Sequence, residues 1–217
     1  MAKKETLEQF HREMISAAAD RLFSRQGMEK TTMDDIAREA EYSKATLYVY
    51  FKGKDEIFYY IVLKGMNLLH KTLQQALSEH EGARDAYCAM CCALAEYCDE
   101  HPLYFDSILE TVASDAESRA ASQVLSEIYT VGEELNQDVE ALIRRGTEQG
   151  VFRAGLPTLP TGLVHWAALC GIISLANKKR DYICQRMGMD RGEFMHFGFD
   201  MLLRSILPRS EEGWDAI

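Results

Sequence analysis

The sequence predicts an all-α protein with a three-helix N-terminal head and a larger helical body. Three observations predict it. Only 4 prolines and 14 glycines punctuate 217 residues, too few for a turn-rich sheet protein. Apolar residues recur at helical spacing through most of the chain. The polar residues between these stretches are of the kinds that start and stop helices. A chain of this length can bury a core without disulfide or metal staples.

The elements follow in order. Phe10, Met14, Ala18 and Leu22 recur every four residues, with Ile15, Ala19 and Phe23 beside them, and Gly27 is a natural stop. Thr32-Met33-Asp34-Asp35 reads as an N-cap with an acidic N3 residue, opening a short helix over 33–40. Glu41-Tyr42 makes a tight turn, and Ser43 caps a third helix over 44–50. Lys52-Gly53-Lys54 interrupts it. Asp55 and Glu56 then suit the positive end of a fourth helix running to about His80. The body is read as helices near 83–99, 102–114, 118–149, 159–180 and 190–207, with Pro102 in a first turn and Pro208 ending the last. The domain division is 1–55 and 56–217.

No charged residue lies between Arg153 and Lys178, so a membrane span is considered. Leu156-Pro157-Thr158-Leu159-Pro160-Thr161-Gly162 breaks the stretch. The apolar remainder, 163–176, has the length of a buried core helix and is too short to span. The segment Met1 to Phe10 is polar, predicting no secretory signal. The location is therefore expected to be cytoplasmic, with the six cysteines as reduced thiols.

The formal net charge is −10, unpromising for contact with a polyanion. Its distribution changes the reading. Residues 1–60 hold 10 Lys/Arg against 11 Asp/Glu, whereas residues 61–217 hold 14 against 23. A near-neutral head can present a basic face while an acidic body is held away from phosphate. Between Tyr42 and Lys54 every charge is positive: Lys44, Lys52 and Lys54.

Two helices joined by a tight turn, the second short, form a helix-turn-helix arrangement. Small and hydroxylated residues (Ser43, Ala45, Thr46) open the second helix, where backbone and side chain can approach bases and phosphates. Tyr48, Tyr50, Lys52 and Lys54 can donate to phosphate oxygens. A purely structural helix would bury these hydroxyls without partners.

Residues 10–58 resemble the DNA-binding head of the TetR family of transcriptional regulators. The match is carried by Ile15 to Gly27, by Thr31-Thr32-Met33-Asp34-Asp35-Ile36-Ala37-Arg38-Glu39-Ala40, and by Ser43 to Lys54 with Thr46-Leu47-Tyr48-Val49-Tyr50-Phe51. In the body, Asp99-Glu100-His101-Pro102-Leu103 and the run Leu142 to Phe152 resemble segments common in that family. The resemblance implies a helix-turn-helix head plus a helical ligand-binding and dimerisation body. It further implies a two-fold dimer on double-stranded DNA, with one recognition helix per subunit in successive major grooves. Thr32, Tyr50 and Lys54 would contact phosphate. Lys44, Ala45, Thr46 and Tyr48 would face base edges, while Leu47 and Phe51 hold the helix on the head's core. Lys3 and Lys4 would extend as a basic arm.

Ala167, Ala168, Gly171, Ser174 and Leu175 form one stripe of the 159–180 helix, and Phe194, Phe197, Gly198, Met201 and Ser205 another in 190–207. Small residues let a second helix approach closely, within one subunit or between two. The resemblance favours a homodimer interface made of these two helices. Tyr87, Met90, Tyr97, Tyr104, Phe105, Ile108, Trp166 and Leu169 supply more large apolar surface than a bundle seam needs. They are expected to line a pocket for a small hydrophobic ligand, with Asp106, Glu110 or His165 orienting it. The function read from the sequence is thus a repressor that binds a palindromic operator as a dimer and is released by such a ligand.

Two other readings stand beside it. Cys88, Cys91 and Cys92 share a helical face, which suits a thiol- or metal-responsive regulator. However, no histidine is spaced to complete a zinc set. A different class would be an all-helical enzyme or interaction module with an incidental corner motif. No metalloprotease helix, nucleophile elbow or phosphate-cradling loop supports catalysis, and no cofactor is expected.

Overall fold

The computed structural model describes residues 2–110 and 122–208. Among them are ten α-helices and no strand: α1 (Ala2–Gln26), α2 (Met33–Glu39), α3 (Lys44–Tyr50), α4 (Lys54–Ser78), α5 (Ala83–Glu100), α6 (Pro102–Glu110), α7 (Gln123–Glu148), α8 (Thr158–Lys178), α9 (Arg180–Met187) and α10 (Arg191–Ile206). The chain is all-α, as its periodicity predicts. The expected end of the helix over 102–114 and the expected start of the one over 118–149 lie outside the described residues.

Three local expectations change, and one helix with an early proline is borne out. The apolar face of α1 is Ile15, Ala18, Ala19, Leu22 and Phe23, whereas Phe10 and Met14 are exposed. Lys3 and Lys4, expected as an extended arm, fall in the first turn of α1, and their side chains lie outside the described residues. α8 (Thr158–Lys178) bears out the helix read near 159–180, Pro160 included. Proline is tolerated there because first-turn N–H groups have no partner inside the helix. α9 is not anticipated by periodicity: only Ile183 of its residues is buried, so it carries no apolar stripe to read, and Gly188 ends it at φ 65°.

Contacts group the chain into two units, residues 1–68 with 101–132, and residues 69–100 with 133–217. In the first, Ile15, Leu22, Ile36, Leu47, Phe51, Ile57 and Ile61 form one core, against which Leu103 and Tyr104 of α6 pack. In the second, α5, α8 and α10 pack together. They bury Met90 and Leu94, Leu169 and Ile173, and Phe199 and Leu203.

The run from 142 to 152 has a physical role here. Gly150 has φ 69°, and the Val151 and Phe152 N–H groups both donate to the Gly146 carbonyl, closing the end of α7. This brings the Phe152 ring onto Gly146, where a Cβ would stand 2.0 Å from it. α8 is long and apolar enough to cross a membrane, but it packs against α5 and α10.

Candidate nucleic-acid interface

The head is built from short-range rules. Gly27, at φ 82°, ends α1. The buried Thr31 hydroxyl donates to the Gly27 carbonyl at 2.8 Å. Thr32 then forms the capping box its spacing predicts. Its N–H and hydroxyl both donate to Asp35 Oδ2, at 3.1 and 2.7 Å, and Asp35 N donates back to its Oγ1. These bonds hold the Asp35 carboxyl below its ordinary pKa. The turn closes with Glu41 N donating to Arg38 O and Tyr42 N to Ala37 O, and it forces Glu41 to φ 58°. The Tyr42 hydroxyl is 2.7 Å from His11 Nδ1, tying the turn to α1.

α3 is anchored by two side chains. Leu47 is 0% and Phe51 1% exposed, and the Arg12 guanidinium lies 4.9 Å above the Phe51 ring. With that face buried, Ser43, Lys44, Ala45 and Tyr48 of the expected contact residues are on the outside of the helix, as is Lys52 beyond it. Thr32, Thr46, Tyr50 and Lys54 complete the expected set, and Thr46, Tyr50 and Lys54 are half-buried. Tyr50 packs on the core, its ring 5.1 Å from that of His11.

Several of these groups already have partners within the head. Ser43 Oγ accepts from Thr46 N at 3.0 Å and shares a 2.7 Å bond with Thr46 Oγ1. Lys54 Nζ donates to the Met28 carbonyl at 2.8 Å, bridging the loop after α1. Lys44 Nζ donates to Asp34 Oδ2 at 2.8 Å, and this bond raises the lysine pKa. The cap uses Asp35, and the N3 rule leaves Asp34 free for another role.

The expected ligand residues fall in both units. Met90, Trp166 and Leu169 line a cavity of about 20 Å³ with Leu73, Leu94, Val139, Gly162 and His165. Tyr87 adjoins it, its hydroxyl 2.9 Å from His165 Nδ1. Ser205 Oγ is 3.3 Å from His165 Nε2, and burial lowers the histidine pKa. Tyr97 is buried in α5 but does not line the cavity. Tyr104, Phe105 and Ile108 belong to the other unit, where Tyr104 packs on the head core. Large apolar residues recur along several helices, and residue type alone does not say which of them face a common space. Asp106 is exposed, and the Glu110 side chain lies outside the described residues.

The cysteines give the thiol and metal reading no support. Cys91 is buried and its thiol pKa is pushed up by burial. Cys88 and Cys92 are exposed, yet burial of their surroundings raises them too, the wrong direction for a reactive thiolate. Among the described residues no group of three or more His, Cys, Asp or Glu could hold a metal ion.

The two small-residue stripes separate. At Gly198 a Cβ would meet Ile172 of α8 at 2.9 Å, so this glycine serves packing within the chain. At Gly171 nothing lies within 4 Å, and Leu163, Val164, Leu175, Phe197 and Met201 are exposed on the same two helices.

Comparison with known proteins bears on the same segments. Residues 15–61 match the family described as bacterial regulatory proteins, tetR family. The chain is 34% identical over 142 residues to the HTH-type transcriptional regulator HbdR of Aromatoleum sp. (strain CIB). That match covers 65% of this chain and 60% of HbdR, less than two thirds of the relative's length. Among solved structures, the TetR family transcriptional regulator PfmR from Thermus thermophilus is 27% identical, with a TM-score of 0.66 over 88% of this chain and 97% of its own. The SmeT–triclosan complex shares the fold, with a TM-score of 0.67 over 91% of this chain and 92% of its own at 22% identity.

Proposed function

Since this chain belongs to the TetR family of DNA-binding transcriptional regulators, which are not enzymes, we propose that it represses transcription by binding a palindromic operator as a dimer and lets go when a small hydrophobic molecule enters its body. What carries the reading is the burial of Leu47 and Phe51, which leaves Ser43, Lys44, Ala45 and Tyr48 on the open face of α3. Lys44, Ala45, Thr46 and Tyr48 read bases. Thr32, Ser43, Tyr50, Lys52 and Lys54 position the head on phosphates. The acidic body is kept off the duplex and so favours one docking orientation. The functional boundary falls at residues 55/56, and the protein works in the cytoplasm.

The dimer forms through α8 and α10, whose exposed Val164, Leu175, Phe197 and Met201 accompany the open space at Gly171. The ligand enters between α5 and α8, beside Met90, Trp166 and Leu169. A cavity of about 20 Å³ holds no more than a water, whereas drug-sized ligands fill about 300–1,000 Å³. Entry therefore displaces Met90 and Trp166, and that movement couples ligand to DNA. The triclosan bound in the SmeT complex supports a small-molecule effector.

Selection of bound duplexes from a random pool tests the central claim. An enriched inverted repeat is expected, with preferences that change in Lys44→Met and Thr46→Ala proteins. Enrichment without two-fold symmetry, or none, would sink it. Sedimentation of Gly171→Leu should show monomers.

A further inference from the structure

An acidic side chain at the open face of a DNA-binding head is out of place electrostatically, and Asp34 is one. It is not needed for the cap: Asp35 occupies N3 and takes both bonds from Thr32. Asp34 instead reaches from the start of α2 to the start of α3 and accepts from Lys44 Nζ at 2.8 Å. Both side chains are solvent-exposed, at 61% and 48%, so the pair is weak and exchangeable. Lys44 is also the one lysine within α3 itself.

We infer that Asp34 is an internal competitor for Lys44 that holds down the protein's affinity for DNA. This rests on the reading of the head as a DNA-binding module. Off DNA, the carboxylate stands in for a phosphate or a guanine edge. On an unrelated duplex, phosphate offers Lys44 little that Asp34 does not, so the lysine stays with Asp34 and releases no counterion of its own. On the operator, base acceptors take the lysine over, but the Asp34 bond must first be broken. Both complexes are weakened. This suits a regulator whose ligand must release it with a coupling of only about 5- to 150-fold.

The test is a double-mutant cycle on Asp34 and Lys44, using the full-length protein. Its probes are a duplex enriched from a random pool and an unrelated duplex of equal length. Asp34→Asn keeps the Thr32–Asp35 capping box and the side-chain shape, and Asp34→Ser is a second variant should the first alter melting. Either is expected to tighten operator binding by about 1.5- to 5-fold per head, and by the square of that for a dimer. On the unrelated duplex, the slope of log K against log salt should steepen by about one per head, as Lys44 becomes a phosphate contact. In a Lys44→Met background the gain should shrink to the residue left by simple charge repulsion. Unchanged affinity and slope in both Asp34 variants overturn the inference while leaving DNA binding intact. So does an equal gain in both backgrounds. Failure of the wild type to bind any duplex brings down the DNA-binding reading itself.

Discussion

The head and the body use similar residues with different legibility. In the head, α2 and α3 are seven residues each. Over so short a helix, caps and two anchors decide every orientation. Once Leu47 and Phe51 are inside, Ala45 turns outward, and Lys44 and Tyr48 are exposed beside it in so short a helix. In the body, α5, α7 and α8 are 18, 26 and 21 residues long. α8 carries apolar residues on both its buried and its exposed sides, and partners from distant parts of the chain decide which side lines a cavity. A site held by local rules can be read residue by residue, whereas one assembled from long helices cannot.

The largest effect that would sharpen this contrast is at the anchor. Leu47→Ala should cost about 2–5 kcal/mol and abolish duplex binding, measured by denaturant unfolding and a binding titration. Retained binding at full affinity would show that α3 is held by something other than its buried side.

The body's sensitive points are close approaches instead. Gly146→Ala drives a Cβ into the buried Phe152 ring and should cost about 1–3 kcal/mol as an overpacking change. Gly171→Ala has open space around it within the chain and, at dilutions where the subunits have separated, should gain up to about 1 kcal/mol from helix propensity. Thermal melting of the two proteins in parallel checks this, and equal shifts would contradict it.

A pH series probes the cavity. Burial lowers the His165 pKa from 6.5, so the fold favours the neutral ring. The unfolded chain therefore takes up a proton first as pH falls. The stability contributed by His165 is present above pH 6.5 and is lost as pH drops toward the depressed folded value. The melting temperature of the wild type should fall more between about pH 7.5 and 5.5 than that of His165→Gln. Parallel curves would place the pH dependence elsewhere.

The smallest effect lies in the turn. Glu41 holds φ 58°, a left-handed conformation that costs a side-chain-bearing residue about 1–2 kcal/mol. Glycine there removes the strain but loses about 0.4–1 kcal/mol through its freer unfolded chain. Glu41→Gly should raise stability by about 1 kcal/mol or less, read from the melting temperature with duplex binding as a control. A drop in stability would show that the Glu41 side chain contributes more than its strain costs.

The helix-turn-helix is legible because Thr32 and Asp35, Ser43 and Thr46, and Leu47 and Phe51 act within one or two helical turns of each other. The role of Asp34 is hidden for a related reason: its partner is ten residues away, across the turn. The apolar face of α1 is misread because a row of residues four apart winds about 40° around the helix at each step. Phe10 and Met14 have turned to the outer side and are exposed, while His11, Arg12 and Ile15 take the inner one.

Spacing and residue chemistry were enough to make this chain helical, to place its caps and to orient α3, because backbone geometry and local hydrogen bonds act over a few residues. The packing of distant segments decided the rest. It put Ile172 against Gly198 while leaving Gly171 open, joined Tyr87 and Ser205 through His165, and divided the expected ligand residues between two units. Burial belongs to the space between elements, and residues far apart in the chain fill that space together.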